Sequence, residues 1–407
     1  MNNIIPKGKS RLLTILVGLL VFVTTFPIFD TIGYSVIMGI IIVLCFFMFP
    51  GVLSNKPARY MLLFFSIEAF YALIGKGLSF RTVVYQTLQF LAAMVVCFHI
   101  KDLNKKQINI LLYFVIGSFL FTMIVTYMAL LSDNMIIRNF GYGGSDNSTG
   151  TYVRGVYSYG FGEALSIILP AMTFFALSTK RRILQLLLFF LIAAGLITQF
   201  MASLTTSALL SSIFCVVTFL SSATLARKQR NIIISIIILG IVSVFVIPSL
   251  NFDENLTFLM KMEDVNHSYA TGQSTGQVQD RTVLYRQSLR VYAQNPIFGM
   301  GEVPDDFGKY TRKTVSLHTT IFDYLGLYGL FVILFFISWK ETIKQTYYVL
   351  PMDRRKNYRW VYFSLVLLLL LKGPVTIGTN FIFSTVLLAI FFMSDYHYNP
   401  IVVKNEA

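Results

Sequence analysis

Apolar runs of about 17–25 residues, separated by short polar breaks, recur along almost the whole chain. A run of about 20 apolar residues crosses the hydrocarbon core of a bilayer as one α-helix. Only 13% of the residues are charged, whereas a soluble protein carries about 25%. The runs are also too long for the ~10-residue alternating strands of an outer-membrane barrel. The sequence therefore predicts an all-α integral membrane protein and excludes a soluble nucleotide-binding or protease domain.

About twelve membrane-spanning helices are predicted within one polytopic domain, residues 1–407. The predicted spans are 12–29, 32–53, 58–74, 82–100, 107–131, 157–178, 183–201, 204–225, 231–250, 318–338, 358–373 and 377–393. Cytoplasmic loops carry an excess of Lys and Arg. Most of the chain's 33 Lys and Arg residues fall in compact clusters on one side of this arrangement. We therefore expect both termini to be cytoplasmic.

Two long loops remain on the outer side, residues 132–156 and 251–317. The first is rich in Gly, Ser, Asn and Asp. The second is too long for a simple connection and contains a predicted short helix over 280–294, followed by a Pro/Gly turn. We expect the second loop to form an extracytoplasmic cap and the chemistry to take place in these two loops.

The net charge of +14 would suggest nucleic-acid binding in a soluble chain. Here the cytoplasmic clusters account for most of it, so no nucleic-acid partner is expected. Cys45, Cys97 and Cys215 all fall inside apolar runs. Neither a disulfide framework nor a metal site is predicted from them.

Positive charge on the outer side opposes the positive-inside tendency and needs its own explanation. The cationic residues predicted there include Lys76, Arg81, Arg154, Arg281, Arg286 and Arg290. One interpretation is solvated loop charge that nearby acids balance. The other is that some arginines hold an anionic headgroup such as a pyrophosphate, because the guanidinium group matches phosphate oxygens with paired donors and keeps its proton.

The predicted helix over 280–294 allows a finer distinction among these arginines. Tyr285, Ser288 and Tyr292 all lie within about 40° of Arg281 around this helix. Arg286 and Arg290 lie about 140° and 180° from Arg281, so the three arginines do not address one ligand from a regular helix. An arginine beside two tyrosines suits a phosphate-linked sugar. A plain packing stripe is the alternative interpretation.

His318 stands where the second outer loop re-enters the membrane. A histidine with an ordinary pKa of about 6.5 accepts a proton near neutral pH and is a candidate general base. A structural role is the alternative for a lone histidine. Asp323 lies about 140° from His318 on a continuous helix, so no direct orienting pair between them is expected.

Two other acids within predicted spans are candidates for a special role, because charges there are costly. Glu68 is expected to pair with Lys372 in a structural role. Glu163 is either a salt-bridge partner or part of an acceptor site.

A set of residues in the second half of the chain follows a recognisable spacing. An arginine is followed four residues later by an aromatic residue, then by a Pro-x-x-Gly-x-Gly turn, and then by a histidine at the start of a helix with a glycine eleven residues on. These positions are Arg281, Tyr285, Pro296, Gly299, Gly301, His318 and Gly329. The pattern resembles the signature of the O-antigen polymerase and O-antigen ligase superfamily. Arg154 and Gly155 are similar to that family's Arg-Gly pair after the first outer loop, while Thr319 stands where the family commonly has Asn.

The resemblance implies glycan transfer on the outer face of the bacterial inner membrane. The implied donor is an undecaprenyl-pyrophosphate-linked oligosaccharide, and no cofactor or metal is implied. The implied catalytic residues are His318, Arg281 and Arg154. The candidate substrate contacts are Tyr285, Tyr292, Arg286, Arg290, Glu163 and Arg81. Membrane lipid and a chain-length regulator protein are further candidate partners.

One departure from the family's pattern bears on the reaction. Ligases of this family usually begin the eighth span with a Thr-x-(Ser/Thr)-Arg-Ala type motif, whereas this chain has no arginine between Leu204 and Ala208. The sequence therefore favours a polymerase of repeat units, as in lipopolysaccharide or capsule assembly. A ligase is the alternative, and a flippase is less favoured because the unusual residues collect on the outer side.

Overall fold

A computed structural model describes residues 7–25, 31–132, 159–179, 181–201, 205–221, 276–303, 311–371 and 379–394. Throughout these ranges the regular elements are helices, and only isolated backbone bridges join Gly77, Glu302 and Thr314. The predicted all-α class is confirmed.

The helices are numbered in chain order. The first six are α1 (Lys7–Thr25), α2 (Thr31–Met48), α3 (Lys56–Leu73), α4 (Phe80–His99), α5 (Lys105–Ser132) and α6 (Tyr159–Ser178). The later helices are α7 (Arg182–Met201), α8 (Thr205–Ser221), α9 (Gly276–Gln294), α10 (Thr320–Tyr328), α11 (Val332–Val349), α12 (Met352–Leu371) and α13 (Thr379–Met393).

Four helical segments among the described residues are long and apolar enough to cross a membrane. They are Phe80–Asp102, Lys105–Leu131, Arg182–Met201 and Thr320–Val349. Other predicted spans also overlap helices, but 231–250 lies outside the described residues. The count of twelve and the sidedness of the loops stay predictions.

The predicted span 318–338 differs from the structure at both its middle and its end. A short 3₁₀ turn, Gly329–Phe331, separates α10 from α11, and α11 continues to Val349. Hydropathy falls after residue 338 because charged residues appear. The helix nevertheless continues, since Trp339, Thr342 and Thr346 still bury one face at helical spacing.

An aromatic cluster fixes α10 against α3 and α11. The Phe64 ring on α3 lies 6.2 Å from the Tyr324 ring, 5.7 Å from the Tyr328 ring and 5.7 Å from the Phe335 ring, centroid to centroid. Each such aromatic pair contributes about 0.5–1.5 kcal/mol beyond its buried area. The short helix α10 is therefore held firmly, together with the segment that leads into it.

Candidate functional site

His318 lies at a bend in the non-helical segment that immediately precedes α10. Its Nδ1 is 2.7 Å from the Ser316 carbonyl oxygen, and its backbone N–H donates to Ser316 Oγ at 3.2 Å. A carbonyl oxygen only accepts hydrogen bonds, so this contact places the proton of the neutral ring on Nδ1. The basic nitrogen is then Nε2, the one that takes up a proton.

The Asp323 carboxylate anchors this segment from within α10. Its Oδ1 accepts from Ser288 Oγ at 2.5 Å, from Ser316 Oγ at 2.8 Å and from Ser316 N at 3.1 Å. Its Oδ2 accepts from Thr319 N at 2.9 Å. All four of these residues are fully buried. The carboxylate is connected to His318 through Ser316.

Helix α9 contacts α10 and the segment before it through Ser288 and Tyr285. The Ser288 hydroxyl donates to Asp323 and accepts from Ser316 N at 2.9 Å, and the Tyr285 ring contacts the Phe322 ring edge to face, with centroids 6.0 Å apart. Arg281 is one turn before Tyr285 in α9, and the position of its side chain is outside the description.

The remaining residues of α9 are distributed around the same helix. Tyr292 is half-buried, whereas Arg286 and Arg290 are exposed. Arg286 and Arg290 therefore lie on the side of α9 opposite the buried Ser288, whereas the side chain of Arg281 is outside the described residues.

The C-terminal end of α12 lies beside the segment that carries His318. Thr319 Oγ1 donates to the Leu370 carbonyl at 2.8 Å, and the Tyr285 hydroxyl donates to the Leu371 carbonyl at 2.6 Å. The last carbonyls of a helix lack partners within the helix. Here two side chains of the site satisfy them, so α9, α10 and α12 meet beside His318.

The Pro-x-x-Gly-x-Gly turn packs backbone against backbone on the other end of α10. Met300 N donates to Leu327 O at 2.9 Å, and Gly301 N donates to Gly326 O at 3.0 Å. A Cβ at Gly299 would lie 2.5 Å from Gly329 N. The glycines of the motif thus allow a close approach that side chains would prevent, and they serve the packing of α10.

Arg81 belongs to this other end of α10. It is exposed at the start of α4, just after a loop whose Leu78 N–H donates to the Tyr328 hydroxyl at 3.3 Å. Lys76 of that loop forms an ion pair with Glu302. Helix α10 rises about 12 Å from Thr320, beside His318, to Tyr328. Arg81 therefore lies near the Pro-x-x-Gly-x-Gly turn at the far end of α10 and not near His318.

Several other predicted site residues lie partly or wholly outside the described residues. Arg154 lies outside the described residues, and Glu163 lies in α6 without a described side chain. Glu68 is fully buried in α3 beside the Tyr328 hydroxyl. Its predicted partner, Lys372, lies outside the described residues.

A metal centre finds no support in the part of the chain that the structure describes. No group of three His, Cys, Asp or Glu side chains there is arranged to hold an ion. Cys45, Cys97 and Cys215 are buried free thiols.

A comparison with known protein families finds a match that includes α9, His318 and α10. Residues 196–337 match a family model described as O-antigen ligase. Over this range the chain is similar to the O-antigen ligase family. This confirms the superfamily indicated by the motifs and, with the apolar helices, indicates a membrane protein of the O-antigen ligase or polymerase type. No curated protein matches the chain.

The matched range also contains residues whose role the sequence does not reveal. The sequence does not single out Ser316, and it argues against Asp323 only as a direct orienting partner of His318, yet both residues fix the segment that carries His318. Leu317 adopts a φ of 59°, a left-handed conformation that is unusual for a leucine. One sequence feature could have indicated the role of Asp323. It is an aspartate in the first turn of an apolar helix, where its negative charge interacts favourably with the helix dipole.

Proposed function

We propose that the protein is a membrane glycosyltransferase that polymerises undecaprenyl-pyrophosphate-linked repeat units. It works on the extracytoplasmic face of the bacterial inner membrane, and both termini are in the cytoplasm. The observation that carries the proposal is the bond from His318 Nδ1 to the Ser316 carbonyl, because it makes Nε2 the basic nitrogen. The similarity of residues 196–337, which include this histidine, to the O-antigen ligase family supports glycan transfer as the reaction.

In the proposed reaction, His318 Nε2 takes the proton from a sugar hydroxyl of the incoming lipid-linked unit. The hydroxyl oxygen attacks the anomeric carbon of the donor glycan, a new glycosidic bond forms, and the bond from that carbon to the pyrophosphate oxygen breaks. The lipid pyrophosphate leaves with the electron pair of that bond. Direct displacement of this kind inverts the anomeric centre, and the glycan grows at its reducing end.

Arg281 and Arg154 bind the donor pyrophosphate in this proposal and stabilise its growing negative charge. Arg281 is one helical turn from Tyr285, which ties α9 to the end of α12 beside His318. This supports a position for Arg281 near the proposed base. Arg286 and Arg290 are exposed on other faces of α9, so their proposed contacts are with distant parts of the glycan.

The acceptor distinguishes a polymerase from a ligase. We favour a polymerase because Ala208, near the start of α8, is fully buried and uncharged where ligases of this family usually present an arginine. The matched family is described as O-antigen ligase, which favours the alternative acceptor. In a polymerase, a chain-length regulator protein is a natural partner.

Purified protein in liposomes, supplied with lipid-linked repeats alone, separates these possibilities. A polymerase produces a ladder of products that differ by one repeat. A ligase produces no ladder, but transfers a preformed glycan when a lipid A core acceptor is added. Absence of transfer under both conditions, with protein that remains folded, contradicts glycosyl transfer.

A further inference from the structure

The Asp323 carboxylate takes no part in the proposed reaction, yet it is fully buried in a candidate membrane-spanning helix. Ionisable groups in such places are costly and usually have a function. We infer that Asp323 is a positioning residue that fixes His318 through Ser316. This inference rests on the proposed role of His318 as the general base.

The first argument is that Asp323 holds the backbone on both sides of His318. It accepts from Ser316 N at 3.1 Å and from Thr319 N at 2.9 Å. Leu317 lies between these two anchors and has a φ of 59°. L side chains rarely adopt this conformation, and it persists only where the surroundings enforce it. The two bonds to Asp323 supply that enforcement.

The second argument concerns the direction of the imidazole ring. The Ser316 hydroxyl donates to Asp323 at 2.8 Å, and its oxygen accepts from His318 N at 3.2 Å. The Ser316 carbonyl in turn accepts from Nδ1. The carboxylate therefore fixes the residue that sets both the backbone and the tautomer of His318, as an outer partner does for a ligating histidine.

The third argument is that the same carboxylate joins His318 to α9. Ser288 donates to Asp323, and Ser288 lies seven residues after Arg281, on the same helical face. Asp323 thus sets the spacing between the base and the helix that carries the proposed phosphate-binding arginine.

The Asp323→Asn variant tests the inference with little change in volume. The asparagine keeps one oxygen that accepts hydrogen bonds, but its NH₂ group replaces the other carboxylate oxygen. That NH₂ group only donates, so the backbone N–H or serine hydroxyl opposite it loses its acceptor. We expect kcat to fall about 10–100-fold, as a misplaced catalytic group does, while KM changes by less than about 3-fold. We expect a smaller fall in kcat for Ser288→Ala.

A double-mutant cycle with His318→Ala separates positioning from general stability. If Asp323 acts through His318, Asp323→Asn causes no further loss from the residual rate of His318→Ala. Loss by the same factor in both backgrounds overturns the inference. Ser338→Ala is the matched control, because it also removes a buried hydrogen bond. Ser338 lies in α11, and its hydroxyl donates to Pro57 O at 2.6 Å. This variant should leave kcat unchanged.

A labelling experiment tests the same inference without any transferase activity. Diethyl pyrocarbonate reacts with the unprotonated imidazole nitrogen, and peptide mass spectrometry assigns the label to each histidine. We expect the rate at His318 to fall about 3-fold or more in Asp323→Asn, because the Nδ1 bond that favours a basic Nε2 is weakened. The rate at His99, whose Nδ1 lies 3.1 Å from Asp102 Oδ2, should not change and serves as the internal reference.

The outcomes distinguish this inference from the proposed function. Normal activity of His318→Ala overturns the general base and the positioning role together. An inactive His318→Ala with a fully active Asp323→Asn overturns the positioning role alone. If wild-type protein transfers no glycan, the proposed function fails, and an unchanged labelling rate at His318 in Asp323→Asn still overturns the positioning role.

Discussion

The Pro-x-x-Gly-x-Gly turn packs closely on α10, so replacing its glycines by alanine should lower the stability of the protein by different amounts. At Gly299, an added Cβ would lie 2.5 Å from Gly329 N, and the alanine would keep a φ of +72°. The left-handed conformation costs an L residue about 1–2 kcal/mol, and overpacking costs about 1–3 kcal/mol. Because the neighbouring atoms are backbone and cannot rotate away, the two costs add. We expect Gly299→Ala to lower the free energy of unfolding by about 2–5 kcal/mol.

Three other glycines separate the two costs. Gly75 has a φ of +73° but nothing within 4 Å of an added Cβ, so Gly75→Ala should cost only about 1–2 kcal/mol. Gly301 has no positive φ, but its Cβ would lie 2.8 Å from Gly326 O, so Gly301→Ala should cost about 1–3 kcal/mol. Gly117, inside α5 with nothing within 4 Å, has neither cost. Gly117→Ala should be neutral or stabilising by up to about 1 kcal/mol.

Unfolding of each purified variant in detergent, followed by tryptophan fluorescence, measures these differences. Trp339 is buried in α11 and reports on the packing beside α10. The expected order of stability is Gly117→Ala, then Gly75→Ala and Gly301→Ala, then Gly299→Ala. A Gly299→Ala variant as stable as Gly75→Ala would show that the backbones do not approach closely, and would refute this explanation of the motif.

Two further predictions concern the arginines and the topology. Lysine at Arg281 or Arg154 should lower turnover about 10-fold or more despite the retained charge, because paired donors to phosphate are lost. Arg59→Lys, at an exposed position of α3 outside the proposed site, is the control. Full activity of both test variants contradicts the phosphate role. Cysteines placed at Ser145 and Thr275, in a background without the native cysteines, should react with an impermeant thiol reagent on intact cells. Labelling only at control positions in the opposite set of loops would invert the topology and remove the proposed site from the outer face.

The fold class could be predicted from sequence because a bilayer demands long apolar runs, and those runs also gave most helix bounds. The end of α11 could not be predicted in the same way. Its last turns carry Lys340 and Lys344 on one face while Trp339 and Thr346 remain buried on the other. A fall in hydropathy does not end a helix that still has an apolar face.

The site could be predicted in part. Helical spacing placed Tyr285 and Ser288 together, and both contact α10 or its leading segment. The angle of about 140° between His318 and Asp323 assumed one continuous helix. In the structure α10 begins only at Thr320, and the left-handed Leu317 folds Ser316 back onto the carboxylate. This geometry depends on tertiary contacts with α9, which no local pattern reveals.

The proposed reaction depends on proton uptake by His318, and one rate comparison tests it. The measurement is the initial rate of glycan transfer by wild-type protein and by His318→Ala, each reconstituted in liposomes with lipid-linked repeats and matched for amount and unfolding temperature. Loss of a general base lowers a rate about 10²–10⁴-fold, and we predict a decrease in that range for His318→Ala. Transfer by His318→Ala at the wild-type rate would contradict the assignment of His318 as the base.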